Sequence, residues 1–150
     1  MKAFLFYLVQ FTWGLPVNLI SGMIFLVLEA KGCDHSRFFH AFITYIPCAS
    51  LRGGMSLGIF IFVAVKRGEP IEKCWNRDSS IHEYGHTYQA LLLGPLYWLV
   101  IGLPSIIWRY FFDAYRKKND VSYYKLYCES WANRWGRKFT KERFSNAGMN

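Results

Sequence analysis

Residues 79–87 read Ser-Ser-Ile-His-Glu-Tyr-Gly-His-Thr and contain the pattern His-Glu-x-x-His. His82 and His86 are four positions apart, so on a helix they share one face and both imidazoles can reach one zinc ion. Glu83 then lies beside the metal as a candidate base for its bound water. A second interpretation stays open, because Ser80 and Glu83 have the spacing of a capping box that needs no metal.

A catalytic zinc ion needs three protein ligands and one open position for water. A candidate third ligand lies in residues 129–136, Glu-Ser-Trp-Ala-Asn-Arg-Trp-Gly, within the last predicted helix, 122–135. Glu129 is either a solvated carboxylate or, because its neighbours are largely apolar, a group that needs zinc or an arginine as its partner.

The order HExxH and then ExxA resembles the gluzincin metallopeptidases. An apolar segment separates the two motifs, and in this the chain resembles the membrane gluzincins of the CAAX-prenyl-protease and heat-shock membrane-protease group, which place apolar helices there. The succession HEYGH, LGPLY and GLPS is similar to small uncharacterised bacterial proteins. The gluzincin resemblance implies that His82, His86 and Glu129 bind zinc and that Glu83 is the general base. It also implies that Asn133, where the family has Asp, accepts a hydrogen bond from a ligand histidine, more weakly than a carboxylate would.

The composition predicts one domain, residues 1–150, with some membrane association. Hydrophobic residues make up 53% of the 150 residues, aromatic residues 19%, and the formal charge is +8. Such a charge suits anionic lipid or nucleic acid, but no nucleic-acid-binding motif accompanies it. We therefore expect a solvated or lipid-facing basic surface and no nucleic-acid partner. The four cysteines show no CxxC spacing, so a structural cysteine–zinc site is not expected.

Two apolar segments, 3–28 and 94–112, are long enough to cross or enter a bilayer. The first is interrupted at 14–16 by Gly-Leu-Pro, which predicts a kinked spanning helix, a re-entrant hairpin or, in a soluble protein, a buried helix pair. The same tripeptide at 102–104 interrupts the second segment. If Glu129 shares a metal with the histidines, 94–112 must enter and return, and the break at 102–104 is the expected turning point. Only Lys2 of the 18 Lys and Arg precedes the first segment, so the site is predicted on the cytoplasmic side.

Residues 38–46 and 55–63 are rich in aromatic and β-branched side chains and predict two strands that form a short hairpin. Such a hairpin before the motif helix is a plausible edge for holding an extended peptide. The predicted fold is α+β and mainly helical, a minimal zincin-like core with apolar helical hairpins. The motif helix is expected to be capped by Asp78, Ser79 or Ser80 and to end at Gly94-Pro95.

These features together predict a membrane-associated, Zn²⁺-dependent metallopeptidase. The expected partners are a peptide or protein substrate, membrane lipid and, because the chain is short, a second copy or another protein. The alternative is a non-catalytic membrane protein with a structural zinc site or a partner-binding role. Five side chains are candidates to stabilise the oxyanion of a peptidase reaction: His35, His40, Tyr123, Tyr124 and Tyr127.

Overall fold

The computed structural model describes residues 3–48, 53–68, 70, 75–145 and 149. The fold is α+β and mainly helical, as predicted. The described strands are β1 (Asp34–Phe38), β2 (Ala41–Pro47), β3 (Gly53–Leu57) and β4 (Phe60–Val65). The described α-helices are α1 (Ala3–Gln10), α2 (Leu15–Ala30), α3 (Arg77–Leu93), α4 (Leu103–Tyr110), α5 (Asp113–Lys118) and α6 (Tyr127–Thr140). Short 3₁₀ turns span Gly94–Leu96 and Tyr123–Lys125, and a π-helical stretch spans Trp98–Gly102.

The four strands form one mixed sheet in the order β1-β2-β4-β3. The predicted pair of long strands is wrong, because each of them contains a two-residue turn and is itself a hairpin. The pairs β1–β2 and β3–β4 are antiparallel, whereas β2 and β4 pair in parallel at the centre of the sheet. Gly58 makes the second turn at φ +63°, and a side chain there would collide with Asn18. A left-handed residue in an apolar run therefore divides what the sequence presents as one strand.

Helix α3 carries the HExxH motif, and its N-terminus differs from the prediction. Asn76 is the cap, and its side chain accepts a hydrogen bond from the Ser79 N–H at 2.9 Å. Ser80 Oγ instead accepts from Trp75 Nε1 at 2.8 Å, so the capping box of Ser80 and Glu83 does not form. The helix ends at Leu93, followed by Gly94 at φ +52°, as predicted.

Both apolar segments are bent. The axes of α1 and α2 meet at 92° across the predicted break, where Pro16 lies in the first turn of α2. In the second segment the chain bends by 118° between Leu96 and Trp98, not at 102–104 as predicted. The helix continues through Pro104, which has no N–H for the Val100 carbonyl, and the Tyr127 hydroxyl donates to that carbonyl instead. A side-chain donor from another helix thus offsets the proline.

The core lies between the sheet and α3. The buried side chains of β2 and β4, among them Ile43, Ile61 and Val63, pack with Ile81 and Tyr84 of α3. None of the described helices, taken alone, has the length and hydropathy to cross a bilayer, but two bent pairs, α1 with α2 and 77–96 with 98–110, meet those criteria together. Membrane association stays a prediction.

Candidate metal centre

Helices α3 and α6 touch through their backbones at two glycines. A side chain at Gly85 of α3 would collide with the carbonyl oxygen of Ala132, and one at Gly136 of α6 would collide with that of Ile81. Gly85 costs α3 roughly 1 kcal/mol relative to Ala as a helix former, and this close approach is what it permits. The approach brings Glu129, near the start of α6, against the histidines of α3.

The side chains of His82, His86 and Glu129, which we call the acceptor triad, converge on one buried point. The two histidine Nε2 atoms are 3.2 Å apart. Glu129 Oε2 lies 3.1 Å from Nε2 of His82 and 3.4 Å from Nε2 of His86. All three residues are buried, and Glu129 is completely so. The three atoms form a group that could hold a metal ion.

Two side-chain amides fix which nitrogen of each ring faces that point. His82 Nδ1 lies 2.6 Å from Asn133 Oδ1, and His86 Nδ1 lies 2.6 Å from Gln89 Oε1. The amide NH₂ groups are used elsewhere, since Asn133 donates to the Met149 carbonyl and Gln89 to the Cys128 carbonyl. The amide oxygens must therefore accept, so each histidine, when neutral, carries its single proton on Nδ1 and turns an Nε2 lone pair toward Glu129.

With both histidines neutral, the triad places three acceptor atoms together, and the residues that the structure describes place no donor between them. Among the described residues, Glu129 Oε2 has no hydrogen-bond partner despite its complete burial. Burial by itself lowers the pKa of His86, but Glu129, Glu83 and Gln89 together outweigh burial and raise that pKa to about 9. Burial likewise raises the pKa of Glu129, whereas His86 and His82 outweigh it and hold the pKa well below its usual range. The site thus favours a positive charge, either a proton or a metal ion.

The spacing of the triad suits a small tetrahedral ion. Ligand atoms about 2.0–2.1 Å from zinc in a tetrahedron are roughly 3.3–3.4 Å from one another. The three triad distances of 3.1, 3.2 and 3.4 Å are close to that value. Two imidazole nitrogens and one carboxylate oxygen are also a donor set that zinc accepts, so the residues fit this metal.

Glu83 lies beside the triad in a cavity of about 360 Å³. Ser56 Oγ on β3 is 2.6 Å from Glu83 Oε2 and 2.9 Å from the Glu83 carbonyl oxygen, which fixes the carboxylate against the sheet. Ser56 is itself positioned by Tyr97, whose hydroxyl donates to the Ser56 carbonyl at 2.9 Å. All three triad residues line the same cavity, so the triad and Glu83 lie on one wall of it.

Only two of the five oxyanion candidates are near this cavity. Tyr123 and Tyr124 line it, and the Tyr124 ring lies 5.2 Å from the His82 ring. Burial raises the pKa of both tyrosines, so their hydroxyls keep the proton that a donor needs. The other three do not line it: His35 pairs with Glu29, His40 packs on Phe6, and Tyr127 bonds Val100.

Three residues of the site were not predicted from the sequence: Gln89, Ser56 and Tyr97. Gln89 is three positions after His86, so the helical spacing that joins His82 to His86 also points to it. Ser56 and Tyr97 have no such signal, because their placement depends on the strand register and on the bend after α3. Comparison of the chain with family models, with curated proteins and with solved structures found no match.

Proposed function

We propose that the protein is a zinc-dependent metallopeptidase with His82, His86 and Glu129 as the metal ligands. The observation that carries the proposal is the convergence of three buried acceptor atoms beside a cavity that all three residues line, with no donor from the described residues between them when the histidines are neutral. A structural zinc site is closed by a fourth protein ligand, whereas a catalytic site keeps one position open. The cavity on the open side of the triad favours the catalytic alternative. The resemblance to gluzincins points the same way and belongs to this proposal.

Strand β3 supports a peptide as the substrate. It lies at the edge of the sheet, and all five of its residues, Gly53–Leu57, line the cavity that contains Glu83. An edge strand offers unpaired backbone groups to which an extended peptide can add as a further strand. A peptide held along β3 would pass the triad with its carbonyl groups in reach of Glu83.

The proposed reaction assigns one proton path to Glu83. A bound zinc ion would supply a Lewis acid and lower the pKa of a water molecule. Glu83 accepts the proton of that water as the water oxygen bonds to the peptide carbonyl carbon. Glu83 then gives this proton to the amine nitrogen as the carbon–nitrogen bond breaks. Tyr123 or Tyr124 donates a hydrogen bond to the oxyanion.

The decisive variant is Glu83→Gln, tested with purified protein, zinc and a library of unstructured peptides. The amide keeps the size of the side chain but accepts no proton, so we expect cleavage to fall on the order of a thousandfold. Zinc content, measured by elemental analysis, should stay at the wild-type level. A variant that retains both zinc and wild-type cleavage would refute the mechanism.

Two further variants separate the rival functions. His86→Ala should lose zinc and cleavage together, whereas Glu142→Gln should keep both, because Glu142 makes a surface pair with Arg77. If the wild-type protein purifies with stoichiometric zinc but cleaves no peptide of the library, the site is structural. If it binds no zinc, the triad holds a proton alone.

A further inference from the structure

The two bends in the apolar segments meet in space. The Trp13 indole, between α1 and α2, donates to the Leu92 carbonyl at 3.1 Å. The same indole covers Gly94, where a side chain would collide with it, so the bend after α3 is held against the bend after α1. Around this contact lie exposed apolar side chains from both segments, which we call the apolar tip: Phe11, Trp13, Leu15, Leu92, Leu96 and Leu99.

The helices behind the tip have their polarity reversed. Gln10, Asn18 and Ser21 are buried against the protein, whereas Leu19 and Met23 of α2 face outward. In water a surface helix buries its apolar side and exposes its polar side. The reverse arrangement suits a helix whose outer side faces hydrocarbon and whose polar groups are bonded within the protein.

Charge is distributed in a way that suits an anionic bilayer. Neither residues 3–28 nor residues 84–108 contain Asp, Glu, Lys or Arg, although the whole chain has a net charge of +8. Exposed cations follow where the apolar stretches end, with Lys31 after α2 and Lys117 and Lys118 in α5. Acyl chains would contact the exposed side chains of these uncharged stretches, and anionic head groups would meet the cations.

We propose that the apolar tip inserts into one leaflet of an anionic lipid bilayer and anchors the protein there. The chain turns by 92° and by 118° at the tip, so the helices on either side of each bend lead away from it. Leu26 is 11 positions after Leu15, about 16 Å along α2, and lies one turn before the charged residues Glu29 and Lys31. We therefore expect Leu26 to lie nearer the head groups than the tip does. This anchoring concerns where the protein is held, so it stands or falls separately from peptide hydrolysis.

The test is flotation of the full chain with vesicles of phosphatidylcholine and phosphatidylglycerol in a density gradient. Leu99 and Leu26 form a matched pair, because both are leucines with 65% of their surface exposed. Leu99→Glu places a charge in the hydrocarbon and should lower the bound fraction at least about tenfold. Leu26→Glu should stay within about twofold of the wild type, and Leu99→Phe should bind like the wild type. Circular dichroism verifies that each variant is folded.

Three outcomes would overturn the proposal. The wild-type protein could remain at the bottom of the gradient with these vesicles. Both Glu variants could lose binding equally, which would show a general effect of lost apolar surface. Alternatively, Leu99→Glu could convert a dimer into monomers in sedimentation and leave vesicle binding unchanged, in which case a second copy of the chain covers the tip.

Discussion

The acceptor triad and a second buried cluster both contact helix α3, but their hydrogen bonds are completed differently. The second cluster, Gln10, Asn18 and Ser21, joins α1 and α2, and we call it the amide cluster. Asn18 Nδ2 donates to the backbone and side-chain oxygens of Gln10, each at 2.8 Å. Asn18 Oδ1 accepts from the Ile59 N–H at 2.9 Å, and Gln10 Nε2 donates to the Thr87 carbonyl at 3.0 Å. The donors and acceptors of the two amides are thus matched.

The acceptor triad is just as deeply buried but is not complete. Glu129 Oε2 has no hydrogen-bond donor among the described residues, and two histidine lone pairs point at it. A satisfied cluster fixes the structure, whereas an incomplete one needs a partner that the described part of the chain does not provide. The difference separates a structural cluster from a functional site more directly than burial or residue type does.

The largest expected difference between the two clusters is in how added zinc changes the free energy of unfolding of their variants. At a zinc concentration about a thousand times its Kd, the free energy of unfolding of the wild type should rise by about 4 kcal/mol. In Glu129→Gln the increase should be below about 1 kcal/mol, because a ligand is lost. In Asn18→Leu the full increase should remain. Urea unfolding with and without zinc measures all three increases, and an equal increase in Glu129→Gln would show that Glu129 is not a ligand.

Loss of a hydrogen-bonding partner should affect the amide cluster with or without metal. Asn18→Leu leaves the buried Ile59 N–H without its acceptor and Gln10 Oε1 without its donor. We expect the free energy of unfolding to fall by about 3 kcal/mol in zinc and in its absence. Asn119→Leu is the matched control, because that exposed asparagine donates only to the nearby Tyr115 carbonyl, and its cost should be within about 0.5 kcal/mol. Equal losses in both variants would show that the amide cluster has no special role.

The zinc affinity of the acceptor triad should depend on pH, with a smaller effect for each pH unit than the effects above. Because the pKa of His86 is raised to about 9, zinc must displace a proton at neutral pH. The apparent affinity for zinc should rise about tenfold per pH unit between roughly pH 7 and 9 and then level off. In the metal-free protein the stability changes in the opposite direction, because it falls as the pH rises. The stabilisation from protonated His86 is complete below its unfolded pKa of about 6.5 and is lost as the pH rises through about 9.

Competition against a chelator of known affinity at each pH measures this slope. The slope should be unchanged in Asn18→Leu, since the amide cluster has no group that titrates. An affinity that is independent of pH between 7 and 9 would mean that His86 carries no proton in the metal-free protein.

The sequence was sufficient where function depends on local spacing. The HExxH helix, its end at Gly94 and the meeting of its histidines with Glu129 all agree with prediction. Their use as zinc ligands stays a prediction, as do membrane association and the cytoplasmic side. Spacing on a helix fixes which side chains share a face, so the pairing of the two histidines rests on local geometry. The meeting with Glu129 was expected from the gluzincin resemblance, because the apolar neighbours of Glu129 left both zinc and an arginine open as its partner.

Prediction failed where a distant residue decides the local structure. The turn at Gly58 packs against Asn18, which accepts a hydrogen bond from the Ile59 N–H, and the Val100 carbonyl left without the N–H of Pro104 accepts from Tyr127. The parallel pairing of β2 with β4 likewise leaves no pattern in either strand. Gln89 could have been found from its spacing, but Ser56 could not, because only the folded sheet brings it to Glu83.

The backbone contact between α3 and α6 has a consequence for how this protein tolerates sequence change. The distance from the histidines to Glu129 is set by main-chain atoms at Gly85 and Gly136, not by the fit of large side chains. Aliphatic residues elsewhere in the core can therefore be exchanged for others of similar volume with little effect on the site. A single added methyl group at either glycine would push the helices apart. We thus expect variation among functional versions of this chain to spare these two small residues as strictly as the histidines themselves.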